Sequence, residues 1–285
     1  MSHESIRYCT FSHESLRSPN STQLREFPVL TPPIPEQQKI AQILSTWDKA
    51  IEKLEALIAA KQKRKKALMQ RLLTGKVRFY EFDEEYTEYK LEHLCNFKRG
   101  KGLSKEMLHS DGNFKCILYG ELYTKYSEFI DQVISRTDAT DSIKSVCGDI
   151  LMPSSTTTSG IDLANAVALL EDDVLLGGDI NILRPDLTRV YSEFLAYLLT
   201  HIKKNQIASK AQGITIIHLY GSDLKKLCVN LPTIKEQQKI AGTLSTADRE
   251  IKIHQKQLTA LKQQKKALMQ QLLTGKKRVM VAEAA

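Results

Sequence analysis

The sequence predicts an α+β protein in which one mixed, mostly β globular domain is flanked by two long antiparallel coiled-coil helices. Residues 34–76 and 234–276 are copies of one another at a constant offset of 200 residues, and 24 of their 43 positions are identical. Both copies carry apolar residues in steps of three and four, which is typical of a long helix with a buried seam. Residues 77–233, between the copies, contain short runs of β-forming residues separated by turn signals.

The two helices are predicted over residues 34–76 and 234–276. Pro35 stands at the start of the first copy, where proline is tolerated, and Gly75 and Gly275 suit a left-handed cap at each end. The predicted seam positions are Ile40, Leu44, Trp47, Ile51, Leu54, Ile58, Leu68 and Leu72, followed in the second copy by Ile240, Leu244, Ala247, Ile251, Leu258, Leu261, Leu268 and Leu272. Helices this polar are not stable alone, so each copy is expected to bury its seam against the other.

Four polar residues interrupt the seam, namely Lys61, Lys65, His254 and Lys265. The simpler expectation is that their long side chains reach solvent along the helix surface. The alternative is that these positions fix the register of the two helices or leave room for a third partner.

The size of the intervening domain predicts the relative direction of the helices. About 39 helical residues span about 58 Å, whereas a domain of about 150 residues is about 40 Å across. Parallel helices would require the two ends of the domain to lie a whole helix length apart. Antiparallel helices require those ends to be close together, and the sequence therefore predicts an antiparallel pair.

The net charge of +8 is unevenly distributed along the chain. Residues 36–78 carry 11 basic and 4 acidic side chains and residues 235–278 carry 11 and 3, whereas residues 79–234 carry 16 and 22. A basic protein is a candidate nucleic-acid binder, but that argument applies here to the helices more than to the domain. The basic run at 61–66 is either a solvated helix face or a segment close to a phosphate backbone.

The cysteines and the apolar runs restrict the class of protein. The five cysteines are scattered, and none forms C-x-x-C pairs at zinc spacing, so we expect reduced cysteines, no metal site and a cytoplasmic location. No apolar run reaches about 18 residues, so we expect no membrane span. The first residues lack a basic region followed by an apolar core, so we expect no secretory signal.

Residues 1–33 and 277–285 are expected to lie outside the helices and the intervening domain. The first 21 residues are polar and aperiodic, which indicates an N-terminal stub. Thr22–Pro33 aligns loosely with Ser222–Thr233 at the same offset of 200. We therefore interpret residues 1–33 as the stub and the end of a second domain whose body is missing, and residues 277–285 as a tail.

The segment Asn96–Lys105 has the chemistry of a phosphate contact. It contains four cations, two glycines and no acidic residue. Glycine lets a backbone approach a ligand closely, and the cations suit phosphate. Its spacing does not match a Walker A loop. The structural alternative is a flexible loop after a strand.

Three further segments are candidates for contacts with phosphates or bases. Phe114–Tyr126 predicts a strand with a turn at Gly120, whose polar face would otherwise be an ordinary half-exposed surface. Ser154–Ser159 provides six consecutive hydroxyls, which bond phosphates or base edges, although a disordered polar loop is the alternative. Gln212–Leu219 predicts a strand led by a glycine.

The rest of the domain is predicted to provide its core. Ala164–Leu170 is a buried apolar run, Leu175–Leu183 predicts a strand, a turn and a second strand, and Ser192–His201 predicts an amphipathic helix. No G-x-G-x-x-G, H-E-x-x-H, nucleophile elbow or Asn/Asp-Pro-Pro-aromatic segment is present, so we expect no enzyme.

The repeated segment resembles the conserved regions of the specificity subunits of type I restriction-modification systems. The shared pattern is PEQQKIA, then Leu, Asp and Ile, then KKALMQ and LLTGK. The segments RGKGLSK, CILYGELYTKY, GDILMPSS, LLGGDINILRP and QGITIIHLYGSDLK resemble one group of the target-recognition domains of that family. The resemblance covers about residues 22–276.

The resemblance implies a non-catalytic subunit that reads double-stranded DNA. Its recognition domains would read a bipartite target, and its helices would bind the methyltransferase subunits. It would have no cofactor of its own, because S-adenosylmethionine, magnesium and ATP would belong to partner subunits. A full subunit has two recognition domains, so this chain would be a half-subunit in which residues 1–33 include the remnant of the first.

A half-subunit should read one half-site, and pairing with a second copy or another recognition fragment would complete the target. Two-fold pairing predicts a palindromic target. The candidate DNA-binding residues are Lys98, Arg99, Lys101, Lys105, Tyr119, Glu121, Tyr123, Ser154, Ser155, Thr156, Thr157, Gln212, Thr215 and His218. The alternative is a scaffold or regulator that binds the methyltransferase subunits without reading DNA.

Overall fold

The computed structural model describes residues 31–130 and 132–280. Its elements confirm the predicted class, because helices and sheets are mixed and a long helix lies at each end of the described chain. Most of the predicted N-terminal stub and remnant at residues 1–33 falls outside the described residues, and so does the end of the 277–285 tail. Those two interpretations therefore stay predictions.

The two repeats form long helices, α1 (Ile34–Leu72) and α6 (Ile234–Leu273). Helical hydrogen bonding ends a few residues before the predicted positions at 76 and 276. Gly75 and Gly275 both adopt a φ of +70°, the left-handed conformation that glycine permits at a helix end. None of the described helices combines the length and the apolar character that crossing a lipid bilayer requires.

The described residues divide into two compact units, the first formed by residues 31–53 with 258–280 and the second lying within residues 54–257. In the first unit, both carboxylate oxygens of Glu36 accept hydrogen bonds from Arg278, at 2.8 Å from Nε and 2.6 Å from Nη2. These bonds, with one from the Val279 amide, lower the pKa of Glu36 to about 2. Asp48 forms an ion pair with Lys265. The start of α1 therefore faces the end of α6, as an antiparallel pair requires.

The second unit contains the same two ion pairs at positions offset by 200. Arg78 donates to Glu236 at 3.1 Å from Nε and 2.6 Å from Nη2, and Lys65 lies 2.5 Å from Asp248. The two units thus use equivalent residues with the roles of the copies exchanged. Sequence identity between the repeats is therefore accompanied by identity of contacts.

Three of the four polar seam positions, the lysines, form ion pairs across the helices, which corrects the simpler expectation that they reach solvent. The fourth, His254, forms a 3.0 Å hydrogen bond with Gln257 of its own helix. Lys61 pairs with Glu250 at 2.7 Å, and Lys65 and Lys265 pair with the aspartates named above. The apolar seam residues are buried or half-buried along both helices. A shift of register would separate these charges, so the alternative that the polar positions fix the register is the better account.

The domain between the helices is built from thirteen short strands and four short helices within the described residues. The strands are β1 (Thr87–Lys90), β2 (Cys95–Arg99), β3 (Phe114–Ile117), β4 (Phe129–Ile130), β5 (Arg136–Thr137), β6 (Ile143–Lys144), β7 (Asp149–Pro153), β8 (Ser155–Thr156), β9 (Val167–Leu169), β10 (Leu175–Leu176), β11 (Ile180–Pro185), β12 (Ile217–His218) and β13 (Cys228–Leu231). The short helices are α2 (Glu121–Thr124), α3 (Ser192–Tyr197), α4 (Lys204–Ala208) and α5 (Gly221–Lys225).

The central sheet has the strand order β2-β11-β7-β9-β4, antiparallel except for the parallel β9–β4 pair. A second sheet has the order β5-β3-β10-β6. β1 pairs with β13, which places the two ends of the domain side by side, and β8 pairs with β12. The adjacent ends agree with the size argument for antiparallel helices.

One continuous core connects the domain to the helices of the second unit. Phe194 and Tyr197 of α3 are fully buried, together with Leu73 after α1 and Leu244 of α6. The predicted amphipathic helix at Ser192–His201 is present, but it changes from α3 to a wider π-helical turn at Leu198–Ile202.

A buried polar network reinforces that core. Glu128 lies 3.4 Å from Lys65 of α1 and 2.5 Å from the Nε2 atom of His201. Tyr197 donates a 2.6 Å hydrogen bond to Asp248 of α6, which also pairs with Lys65. These five residues come from both long helices and from the domain, so the network fixes how the domain is attached within this unit.

The predicted strand at Phe114–Tyr126 is wrong beyond Ile117. The chain turns there and forms α2, because the carboxylate of Glu121 accepts a hydrogen bond from the Leu118 amide at 2.8 Å and holds the turn closed. The predicted strand at Gln212–Leu219 is also reduced to Ile217–His218, since the preceding residues form a hairpin loop.

Candidate nucleic-acid interface

The main candidate site is a cleft of about 260 Å³ in the domain, here called the basic cleft. It lies where β2 and β11 meet the β8–β12 pair and the start of α5. The residues that line it are Phe97, Lys98, Arg99, Ser154, Asn181, His218, Leu219, Tyr220, Gly221, Ser222 and Lys225. The cleft therefore brings together four of the predicted residues from three separate segments of the chain: Lys98, Arg99, Ser154 and His218.

The cations of the cleft are held at its rim by the register of the central sheet. Lys98 and Arg99 are the last two residues of β2 and pair with Ile182 and Asn181 of β11. Both side chains are exposed. The ammonium group of Lys225, on α5, lies 5.8 Å from the centre of the Phe97 ring. The rim therefore carries three positive charges beside an aromatic surface.

Nearby carboxylates neutralise part of this charge. Arg99 forms an exposed ion pair of 2.8 Å with Asp179, a residue in the left-handed conformation with a φ of +59°. Lys101 pairs with Asp141 at 2.7 Å. Lys98 forms no ion pair within the part of the chain that the structure describes. Among the described residues, Lys98 and Lys225 are thus the two cations of the cleft that form no ion pair.

Two aromatic rings form the other wall of the cleft. His218 and Tyr220 stack with their centroids 6.0 Å apart and an interplanar angle of 22°. Tyr220 remains 44% exposed, so part of this residue is accessible to a ligand. Stacked rings beside cations can accept either a base or a sugar-phosphate edge. The sequence reasoning missed Tyr220, which follows the predicted strand Gln212–Leu219 and reaches the cleft through the pairing of β12 with β8.

The first half of the hydroxyl run is buried and the second half is exposed. Ser154, Ser155 and Thr156 are buried, and Thr157 is exposed. Ser154 donates to Asp179 at 3.4 Å, and Thr156 shares a 2.8 Å hydrogen bond with Thr158. These hydroxyls hold the β8 segment and its loop in place. Contacts between them and DNA stay predictions, and of the four candidate residues in this run only Thr157 is exposed to solvent.

Gln212 and Thr215 lie in an exposed hairpin next to the basic cleft. The Gln212 amide donates to the His218 carbonyl at 2.9 Å, and the His218 amide donates back to Gln212 at 2.7 Å. The hairpin therefore begins and ends beside the cleft, and Thr215 is exposed in its loop.

Four other predicted residues line a separate cleft of about 630 Å³: Lys105, Tyr119, Glu121 and Tyr123. The two tyrosine rings are partly exposed and lie 6.4 Å apart. Glu121 is buried and binds Lys125, Ser135 and the Leu118 amide. It is engaged within the fold, so this cleft is apolar rather than a second charged site.

Comparison with known proteins gives the same family as the sequence pattern. A family model described as a type I restriction modification DNA specificity domain matches residues 10–62 and 83–263. The MjaX and MjaVIII specificity subunits of type I restriction enzymes from Methanocaldococcus jannaschii are 26% and 25% identical to this chain. The alignments cover 91% and 87% of this chain and 61% of each relative. The chain thus spans about three fifths of their length.

Solved structures share the fold. The HsdS subunit from Thermoanaerobacter tengcongensis superposes with a TM-score of 0.51 at 16% identity, over 93% of this chain and 65% of that one. The S subunit of a type I restriction-modification system from M. genitalium gives 0.55 at 20% identity, over 85% and 61%.

The curated relatives are named as specificity subunits of type I restriction enzymes, which agrees with the expectation that this chain is a specificity subunit. The family model covers well over half of the sequence, including most of each repeat and all residues that line the basic cleft. The chain belongs to the family of type I restriction-modification DNA specificity domains.

Proposed function

We propose that this chain reads one half-site of a double-stranded DNA target. The observation that carries the proposal is the basic cleft, which combines exposed cations with a partly exposed aromatic ring and borders an exposed hairpin. Cations position a phosphate backbone, and the neighbouring side chains can then reach base edges. The chain has one such domain between its two repeats, which supports the reading of a single half-site.

The long helices are the proposed docking surface for methyltransferase subunits. Lys63, Arg64 and Lys66 are exposed on α1, and Leu57 and Ile253 leave apolar side chains 42% and 55% exposed. A surface that mixes apolar side chains with charge is typical of a protein interface. Methyl transfer and cleavage would then belong to the partners, together with S-adenosylmethionine, magnesium and ATP.

The first unit supports a further proposal, that a second recognition domain completes the target. Its Lys265–Asp48 ion pair is equivalent to Lys65–Asp248 of the second unit, but the side chain of Asp48 is 61% exposed. Leu273 is 58% exposed, whereas its counterpart Leu73 is buried in the core. A second copy of this chain could supply that domain, and the two-fold pairing would give a palindromic target.

Methylome sequencing of cells that carry this chain and its methyltransferase is expected to reveal one modified sequence. In a mobility-shift titration, the complex should then bind that duplex at least about tenfold more tightly than a shuffled duplex, because base contacts add to phosphate contacts. The preference should persist over a series of salt concentrations, while the overall affinity falls.

The scaffold alternative is favoured by one observation, the neutralisation of Arg99 and Lys101 by Asp179 and Asp141. A scaffold would still form the complex on a sizing column. It would bind target and shuffled duplexes equally, and that result would contradict the proposal of DNA reading.

Replacing Asp179 by asparagine is expected to increase the affinity of the complex for duplex DNA of any sequence. Asparagine tolerates the left-handed backbone, and its neutral amide frees Arg99 for a phosphate. One additional phosphate contact should steepen the dependence of log K on log salt by about one. The matched control is Asp111→Asn, which makes the same change in net charge at an exposed residue that forms no ion pair among the described residues. Equal salt slopes for the two variants would show that Arg99 does not reach DNA.

A further inference from the structure

The hairpin at residues 212–218 presents an aliphatic side chain at its tip. Ile214 is 99% exposed and Ile216 is 49% exposed. Single exposed apolar residues are common on protein surfaces. Here, however, the two isoleucines occur within one short loop that begins and ends at the basic cleft, which makes them a local feature that requires an explanation.

The backbone of the hairpin is fixed rather than loose. Two reciprocal hydrogen bonds between Gln212 and His218 close it, and β12 pairs its returning arm with β8. Gly213 has a φ of +128°, and a Cβ atom at that position would lie 2.0 Å from the carbonyl oxygen of Ile216. The loop path therefore requires glycine, and it holds the side chain of Ile214 away from the domain.

The surroundings of the hairpin identify the chemistry of its partner. His218, at the base of the hairpin, lines the basic cleft together with Lys98 and Lys225. Phosphates bound by these cations would lie beside the hairpin, and its apolar tip would then extend toward the interior of the duplex. A phosphate contact cannot use an isoleucine, whereas the methyl group of thymine and the face of a base pair are apolar.

We propose that Ile214 makes an apolar contact with base pairs of the half-site and thereby contributes to its sequence preference. This inference rests on the proposed reading of DNA. The apolar surface that Ile214 meets is either a thymine methyl group in the groove or the face of a base pair opened at a flexible step. Both contacts are specific to sequence, since one requires thymine and the other requires a step that unstacks readily.

The first test is a comparison of Ile214→Ser with Ile134→Ser in the complex with the methyltransferase. Ile134 is an isoleucine of the same domain that is 62% exposed and does not line the basic cleft. Ile214→Ser should weaken binding to the target duplex by about tenfold, the effect of exposing a buried aliphatic side chain. Binding to a shuffled duplex should change little. The salt slope should also remain that of the wild type, because no phosphate contact is lost.

Two modified duplexes distinguish the apolar surfaces. In the first series, deoxyuridine replaces the thymidines of the target one at a time, and each replacement removes one methyl group. At the position that Ile214 contacts, the replacement should lower the affinity of the wild type but not that of Ile214→Ser. 2-Aminopurine at each adenine should become brighter on binding only where a step is opened, and this signal should be lost in Ile214→Ser. A response in either series supports the contact, and a response in neither overturns it.

The remaining outcomes separate this inference from the proposed function. If the wild type prefers its target and Ile214→Ser retains the full preference, the inference fails and the reading of DNA stands. If the variant instead weakens assembly with the methyltransferase on a sizing column, the tip is a protein contact and the inference fails. If the wild type shows no preference for any duplex, both fail.

Discussion

Replacing Arg184 by methionine is expected to lower the free energy of unfolding by about 3–5 kcal/mol, the cost of leaving a buried charge without its partner. Asp149 is completely buried in β7, and Arg184 of β11 donates two 2.8 Å hydrogen bonds to its two carboxylate oxygens. The pairing raises the pKa of Arg184, first through these hydrogen bonds. Chemical denaturation at neutral pH, followed by circular dichroism, measures the loss.

Two further variants show whether charge is the cause. Adding Asp149→Asn to Arg184→Met should recover part of the loss, because the double variant no longer buries an unpaired carboxylate while the asparagine can still accept the bond from the Val146 amide. Lys144→Met breaks an exposed ion pair of 3.1 Å with Asp173 and should cost less than about 1 kcal/mol. If Arg184→Met costs no more than Lys144→Met, the buried pair does not stabilise the domain.

Replacing Glu128 by glutamine is expected to remove a large part of the acid sensitivity of the fold. Burial alone would raise the pKa of Glu128, but the hydrogen bond with His201 and the charge of Lys65 outweigh it and lower the pKa to about 2. A carboxylate whose pKa is lower in the folded than in the unfolded state stabilises the protein. This stabilisation is present when the pH is above the unfolded-state pKa, which is 4.5 for glutamate. That stabilisation, of about 3 kcal/mol, is lost as the pH falls toward 2.

Denaturation curves recorded between neutral pH and pH 2 test this expectation. Glu128→Gln should be less stable than the wild type at neutral pH, and the difference should shrink as the pH falls below about 4.5. Asp138→Asn is a suitable control, because Asp138 also has a lowered pKa, first through its hydrogen bond with the Asn113 amide, but lies at the surface. Parallel curves for wild type and Glu128→Gln would refute the role of Glu128.

The long helices could be predicted in detail because their signal is local. Apolar steps of three and four, the glycine at each end and the offset of 200 are all visible in the sequence, and the structure confirms the seam and the antiparallel direction. The ion pairs of Lys65 and Lys265 were harder to predict from the sequence. A lysine on a seam is compatible with solvent or with a partner, and the choice depends on an aspartate more than 180 residues away.

The domain was harder to predict because its strands are short and pair over long distances. Alternation at 114–126 is the same in a strand and in the observed strand followed by a helical turn, and only the capping bond of Glu121 decides between them. The cations of the basic cleft were visible as a local cluster. Tyr220 and Asn181 were missed, since their place in the cleft depends on the pairing of β8 with β12 and of β2 with β11.

The ion pairs of Arg99 and Lys101 affect how the domain should respond to polyanions in general. A flexible polymer such as heparin must displace a carboxylate before it can bind each of these cations. The exchange of one ion pair for another contributes little net binding free energy. A rigid ligand that also fills the space beside the rings can offset that loss. The internal ion pairs therefore weaken non-specific binding of polyanions. The pI of about 9.1, calculated for the whole chain, overstates the affinity of this domain for them.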